Sequence, residues 1–395
     1  MSLKLVNHNP DLSQLRADGY DIAVRKSGHL LVSDVPYVNC AKQVKYGTIV
    51  CELDIAGEDT VAPKTHVAFF VGDYPCDING SRLPGVSPNT NAAIDKDLQP
   101  NHQMSRKPTQ GPYRDFYHKM TTYIDIVSGP AQALKPGVTA RTNPVVVPEE
   151  GESVFNYIDT AATKSGIVVA NHRLESGKLA IVGVGGTGSY ILDLVAKTPV
   201  EEIHIFDNDD FLNHNAFRSP GAASLEELTK KYRKVDYFAS VYGRMRKNIV
   251  PHDCYIDESN VDALKEMNFV FLCIDRGTSK RLIIERLEEW SMPFIDVGMG
   301  IQLGDDNSLG GILTATTGTA QKRDHLRRRI AFSDGEANNE YSRNVQIADL
   351  NALNAILAVI KWKKLRGYYR DYGKEHFCSY TIDTNEIANE DLYES

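Results

Sequence analysis

Residues Lys178 to Arg218 read KLAIVGVGGTGSYILDLVAKTPVEEIHIFDNDDFLNHNAFR, and this run leaves a chain few ways to fold. Leu179 to Val184 is an uninterrupted apolar stretch, as a strand buried on both faces of a parallel sheet requires. Gly183, Gly185, Gly186 and Gly188 follow at once. They let the backbone turn tightly and approach a phosphate at the N-terminus of a helix carrying Ile191, Leu192 and Leu194. A second strand, Glu202 to Phe206, ends at Asp207, where a carboxylate can hold ribose hydroxyls. The expected fold class is a Rossmann-like, doubly wound, mostly parallel α/β sheet. An NAD-dependent oxidoreductase would begin the same way.

The loop that follows narrows the chemistry. Asp207, Asp209, Asn215 and Arg218 lie close together, and the basic element Lys230-Lys231-Tyr232-Arg233-Lys234 comes shortly after. A dinucleotide site served by a helix dipole needs little of this charge. A triphosphate with its metal ion carries more negative charge and calls for cations. The apolar strand Phe269 to Ile274 then ends in Asp275, at the carboxyl edge where ligands sit in open α/β sheets.

These residues resemble the ThiF/MoeB and ubiquitin-activating enzyme superfamily. The family pattern is GxGGxGS, DxD, NxxR, a lysine and a strand-end aspartate. It is matched here by Gly183 to Ser189, Asp207-Asn208-Asp209, Asn215 to Arg218, Lys234 and Asp275. The likeness spans residues 155 to 385. It implies ATP-dependent adenylation of the C-terminal carboxylate of a ubiquitin-like or sulfur-carrier protein. Gly183, Gly185, Gly186, Gly188, Asp207, Asp209, Asn215, Arg218 and Lys234 would bind the nucleotide. Arg218 and Lys234 would also act on the phosphates, and Asp275 would hold Mg²⁺. The family implies a homodimer and leaves room for a conjugating enzyme as a further partner. A catalytically silent scaffold subunit is the other reading within the family. One departure stands out: Arg276 follows Asp275 where the family has asparagine.

Composition sets the outer limits. The 395 residues suffice for about two domains. A net charge of −8 argues against nucleic acid as a partner. No signal peptide and no membrane-length apolar window is visible, so a cytoplasmic protein is expected. Cys40, Cys51, Cys76, Cys254, Cys273 and Cys378 include no CxxC pair, so no structural zinc is expected and the thiols read as reduced core or surface groups.

The stretch from 135 to 155 is rich in Pro, Gly and charge and divides the chain into an α+β N-terminal domain, residues 1–145, and an adenylation domain, residues 155–395. The N-terminal domain reads as strands first and a helix afterwards, the helix carrying Phe116, Met120, Ile124 and Ile126. It is a candidate for recruiting the partner or accepting the acyl group. The family passes its acyl group to a cysteine after the metal-binding strand, yet from Val297 to Tyr380 the only cysteine is Cys378. Direct release of the adenylate, a thioester on Cys76 and an oxyester on Ser105 all stay open. Ser105 stands among Arg106, Lys107 and His102. Near the end of the chain, a long helix is expected to bury Leu350, Leu353, Leu357 and Ile360. The run Lys322 to Arg329 is a solvated basic face, a dock for an acidic protein or a cover for phosphates.

Overall fold

The computed structural model describes residues 3–88, 94–95, 97–108, 111–164, 167–175, 177–332 and 345–393. It divides into two compact units, the first made of Met1–Ser153 and Tyr157–Val168, the second of Val154–Asn156 and Val169–Ser395.

The first unit opens on helices α1 (Leu3–His8) and α2 (Pro10–Ala17), not on a strand. The expected strand-first order is corrected here for a local reason. Pro10 sits in the first turn of α2, where its missing N–H costs nothing. Val6, Leu12 and Leu15 are fully buried. The strands β1 (Asp21–Arg25), β2 (His29–Val38), β3 (Val44–Glu52), β4 (Val67–Val71), β5 (Val86–Pro88) and β6 (His102–Ser105) form an antiparallel sheet in the order β1-β2-β3-β4-β6-β5. Helix α3 (Phe116–Leu134) packs its Phe116, Met120, Tyr123, Ile124 and Val127 face into the same core. The carboxylate of Asp11, on α2, accepts hydrogen bonds from Thr60 in a small hairpin and from the backbone N–H of Phe116, tying α2 to that hairpin and to the start of α3.

The second unit is built on strands β7 (Lys178–Val182), β8 (Glu202–Phe206), β9 (Ile249–His252), β10 (Phe269–Leu272), β11 (Phe294–Leu303), β12 (Leu309–Gly318), β13 (Phe377–Thr381) and β14 (Glu386–Glu390). Their order is β9-β8-β7-β10-β11-β12-β13-β14. The first five are parallel; from β11 onward the pairing is antiparallel. Successive residues of β7 feed opposite cores: Leu179 and Ile181 join one cluster, Ala180 and Val182 the other. Helices therefore cover both faces, as a parallel sheet demands. Helix α4 (Gly186–Ala196), helix α5 (Lys234–Tyr242) and helix α7 (Ala348–Leu365) lie on the first face, and helix α6 (Gly277–Glu289) on the second. The chain leaves β7 toward β8 on one side and returns to β10 on the other. The gap above their carboxyl ends is the switch point where such sheets bind ligands.

Helix α7 departs from expectation. Its core face is Ala355, Ala358, Val359 and Trp362, whereas Leu350, Leu353 and Leu357 are half-buried and Ile360 is 39% exposed. The N-terminal half turns two polar residues inward instead, Asn351 and Asn354, both fully buried. No helix among the described residues is long and apolar enough to cross a membrane.

Trp362 lies 6.3 Å from the Phe271 ring and is 2% exposed. Trp362→Ala is expected to cost the second unit about 3–5 kcal/mol through lost contacts and the cavity left behind, measured by urea unfolding followed by circular dichroism. An unchanged unfolding free energy would contradict this packing.

Candidate functional site

Above the switch point lies a cavity of about 490 Å³. Its wall includes Gly183, Gly185, Gly186, Asp207, Asp209, Arg218, Lys234 and Asp275, brought together from four separate stretches of chain. The turn after β7 is glycine because nothing larger fits. Gly183 has φ +90°, and a Cβ there would stand 2.5 Å from the Cys273 carbonyl oxygen. A Cβ on Gly188 would come within 1.9 Å of the Gly183 carbonyl oxygen. Gly185 differs: a Cβ on it meets no protein atom, only the cavity it lines. Gly185 is also the N-cap of α4 and makes no side-chain cap, so among the described residues the first turn of that helix has no N-cap side chain to accept from its N–H groups.

Asp207 is 7% exposed and already engaged on both oxygens. It accepts from Val184 N at 2.9 Å and from Asp209 N at 2.9 Å, which locks the carboxylate at the end of β8. Lys234, the first residue of α5, is the member of its basic cluster that enters the cavity wall. It is 5% exposed, and its Nζ lies 2.6 Å from Asp209 Oδ2 and 3.4 Å from Asp207 Oδ1. Its neighbours go elsewhere. Arg233 pairs with Asp210 and Asp253 at 3.0 and 2.8 Å, and Lys230 pairs with Glu226 at 2.8 Å. Burial works to raise the Asp209 carboxyl, but hydrogen bonds from Lys234 and from the Tyr255 hydroxyl outweigh it and hold that carboxyl below the ordinary range.

Arg218 lines the cavity with its Nε buried and without a partner among the described residues. Asn215 is 2% exposed and is not one of the residues that line the cavity. Its Oδ1 accepts from Leu212 N at 2.9 Å, while its Nδ2 has no partner among the described residues. Asp275 sits between β10 and α6 on the cavity wall and is exposed. Arg276, the N-cap of α6, lays its guanidinium 4.7 Å from the centre of the Tyr255 ring. Among the described residues no three His, Cys, Asp or Glu side chains gather to hold a metal ion.

Several wall residues escape a motif search. Lys280 on α6 and Asp296 on β11 form a buried ion pair at 2.7 Å. Burial pushes the Asp296 carboxyl up and Lys280 opposes the shift. Asn354 donates to the Gly298 carbonyl oxygen at 2.9 Å, and Asn351 accepts from the Thr187 hydroxyl at 3.0 Å, so α7 braces both the β11 side and the glycine turn. The run Lys322 to Arg329 is spent mostly within the chain. Lys322 pairs with Asp324 at 2.8 Å, Arg327 with Glu288 at 3.1 Å, Arg328 with Asp391 at 2.6 Å and Arg329 with Asp391 at 2.7 Å.

Ser105 is in the first unit, exposed at the end of β6, and is no part of this cavity. Its Oγ lies 3.0 Å from Nε2 of His66, not of His102. His102, three residues earlier on the strand, points the other way, toward Tyr74 and the Gly72 carbonyl. Tyr123 holds the pair in place: its hydroxyl donates to the His66 carbonyl and accepts from Arg106 N. Cys76 is fully buried, and Cys378 is half-buried on β13 with its thiol pushed up by burial.

Residues 162–319 match the model of the ThiF family, and residues 10–160 match that of a domain of unknown function, DUF6791. No curated protein sequence matches the chain. Among solved structures, E. coli MccB is 16% identical, with 60% of this chain and 68% of that one aligned and a TM-score of 0.46. E. coli MccB with ATP is 17% identical over 60% and 70% of the two chains, TM-score 0.45. PaaA is 16% identical over 57% and 76%, TM-score 0.44. The ThiF-family match at residues 162–319 takes in all five parallel strands, so that stretch of the second unit is a ThiF-family domain with a Rossmann-like sheet.

Because the Asp209 carboxyl titrates below its ordinary value, its pairing stabilises the fold fully above the ordinary carboxylate pKa. That stabilisation is lost as pH falls through the lowered folded value. Lys234→Met should therefore narrow the stability difference between neutral and acid pH. Urea unfolding of both proteins across that range checks this, and identical pH profiles would contradict it.

Proposed function

We propose that the ThiF-family domain of residues 162–319 uses MgATP to adenylate the C-terminal carboxylate of a ubiquitin-like or sulfur-carrier protein. The observation that carries this reading is one cavity lined by the glycine turn, Arg218, Lys234 and Asp275. In the reaction a carboxylate oxygen attacks the α-phosphorus, the bond to the β-phosphate bridging oxygen breaks, and pyrophosphate leaves. Such a step needs alignment and neutralised charge more than covalent help from the protein.

The roles follow from the positions. The open N–H groups at the start of α4 receive phosphate oxygens in the space that Gly185 leaves clear. Arg218 brings an unspent guanidinium donor to the same wall, and Lys234 adds a cation anchored by Asp209. Asn215 Nδ2, buried and without a partner among the described residues, is a further donor for the phosphates, and the lone pairs left on Asp207 take the ribose hydroxyls. Asp275, a hard carboxylate on the cavity wall, suits Mg²⁺, which commonly takes one or two protein carboxylates and completes its shell with phosphates and water. Bound there, Mg²⁺ would neutralise charge on the departing pyrophosphate. An NAD-dependent oxidoreductase has no use for Arg218 and Lys234 in this wall, and a silent scaffold has no use for the complete set. The protein works as a cytoplasmic homodimer in this reading.

For the second step Ser105 is the acceptor favoured by a specific contact. His66 Nε2 can take the hydroxyl proton as Oγ bonds to the acyl carbon and AMP leaves.

Calorimetry should find MgATP bound and NAD not. Arg218→Ala should weaken ATP about 10- to 100-fold through loss of a charged hydrogen bond. NAD binding with no response to ATP would overturn the proposal. For the second step, enzyme, ATP and a cognate ubiquitin-like protein should give a thiol-resistant conjugate that Ser105→Ala abolishes. A conjugate that persists in Ser105→Ala removes Ser105 from the mechanism.

A further inference from the structure

Cys40 and Cys76 are 36 residues apart in sequence, yet their Sγ atoms lie 3.1 Å from each other in the first unit. The two thiols come from neighbouring turns. Cys40 is exposed in the turn between β2 and β3, and Cys76 is buried in the loop after β4. The backbone fixes this approach. Cys76 N donates to the Val38 carbonyl at 2.7 Å, and Val38 and Cys76 face each other as an antiparallel bridge. Asn39 Nδ2 reaches Asp73 Oδ2 at 3.3 Å, a second link between the same two segments. Gly80 presses so closely on the Cys40 backbone that an added Cβ would stand 2.8 Å from the Cys40 carbonyl oxygen. A disulfide needs an S–S separation of about 2 Å, so these sulfurs need close by only about 1 Å.

We infer that Cys40 and Cys76 are a vicinal dithiol that closes to an intrachain disulfide when the protein meets a two-electron oxidant of the peroxide class. Exposure divides the roles. Cys40 Sγ, as thiolate, attacks one peroxide oxygen, breaking the O–O bond and leaving a sulfenic acid and water. Cys76 Sγ then attacks that sulfenic sulfur, loses its proton and displaces a second water. Two thiols and one hydrogen peroxide become one disulfide and two waters, so atoms and electrons balance. The buried thiol of Cys76, pushed up to about 12 by burial first and by Cys40 beside it, is suited to the second role rather than the first. The same property sets it apart from an acyl-accepting nucleophile. The inference does not rest on the adenylation reading. Closure would staple the β2–β3 turn to the loop that carries Asp73 and Arg82, constraining the unfolded chain more than the folded one.

The test treats the full chain with hydrogen peroxide and then counts thiols under denaturing conditions. Two of the six cysteines should be lost, the intact mass should fall by about 2 Da, and digestion should release a peptide joining Cys40 to Cys76. The oxidised protein should melt several degrees higher. Cys40→Ser and Cys76→Ser, each exposed in parallel, should show no such mass loss. Six thiols surviving the treatment would overturn the inference. So would a Cys40 driven to sulfinic acid with Cys76 untouched, or a disulfide that joins other cysteines.

Discussion

Everything in the second unit depends on how closely helix α4 can approach the end of β7. The limit is set by one absent atom: a Cβ on Gly188 would lie 1.9 Å from the Gly183 carbonyl oxygen, well inside any allowed contact. With that approach granted, α4 aims its N-terminus at the switch point, the turn passes under Cys273, and β10 can pair beside β7. Gly186 adds a second close contact, against Asn351 of α7, so a helix from the far end of the sequence leans on the same turn. The crevice is what remains above this packing.

The wall of that crevice is a balance of charges rather than a basic patch. Lys234 is held by Asp209, Lys280 by Asp296 and Arg329 by Asp391. Each pair keeps a cation at the wall without leaving it buried and alone. Arg276 lies over the Tyr255 ring, and Arg218 differs from all of these, with its Nε buried and without a partner among the described residues. A donor left in that state is expensive unless a ligand completes it. This asymmetry gives Arg218 more weight in the phosphate reading than its place in a motif alone would.

How much of this was legible in the sequence depended on sequence distance. The unit from Leu179 to Asp207 is local, and its apolar runs and glycines name the strand, turn, helix and strand directly. Asp275 could be placed because it ends an apolar strand. Lys234 could not be separated from Lys230, Lys231 and Arg233 by spacing alone; the structure separates them by burial and by partner. Contacts across long separations left no signal. Asn351 reaches Thr187 over 164 residues, and Cys40 reaches Cys76 over 36. Helix α7 misled for another reason: it has two partly apolar sides, and the one richer in leucine is not the one in the core. In the first unit, α1 and α2 are short and polar enough to escape a periodicity search, although they bury Val6, Leu12 and Leu15. Ser105 was visible as a hydroxyl among basic residues, but its partner proved to be His66, just before the neighbouring strand β4, and not His102 from the same strand.

The central claim is that this cavity cleaves ATP between the α- and β-phosphates to activate a carboxylate. Pyrophosphate exchange tests it most directly, because label passes from pyrophosphate into ATP only when an acyl-adenylate forms reversibly. With MgATP and a cognate ubiquitin-like or sulfur-carrier protein, exchange should appear, and Asp275→Ala should abolish it in a protein whose circular dichroism is unchanged. Exchange that survives Asp275→Ala at full rate, or ATP turned over to ADP and phosphate with no exchange, would contradict the account.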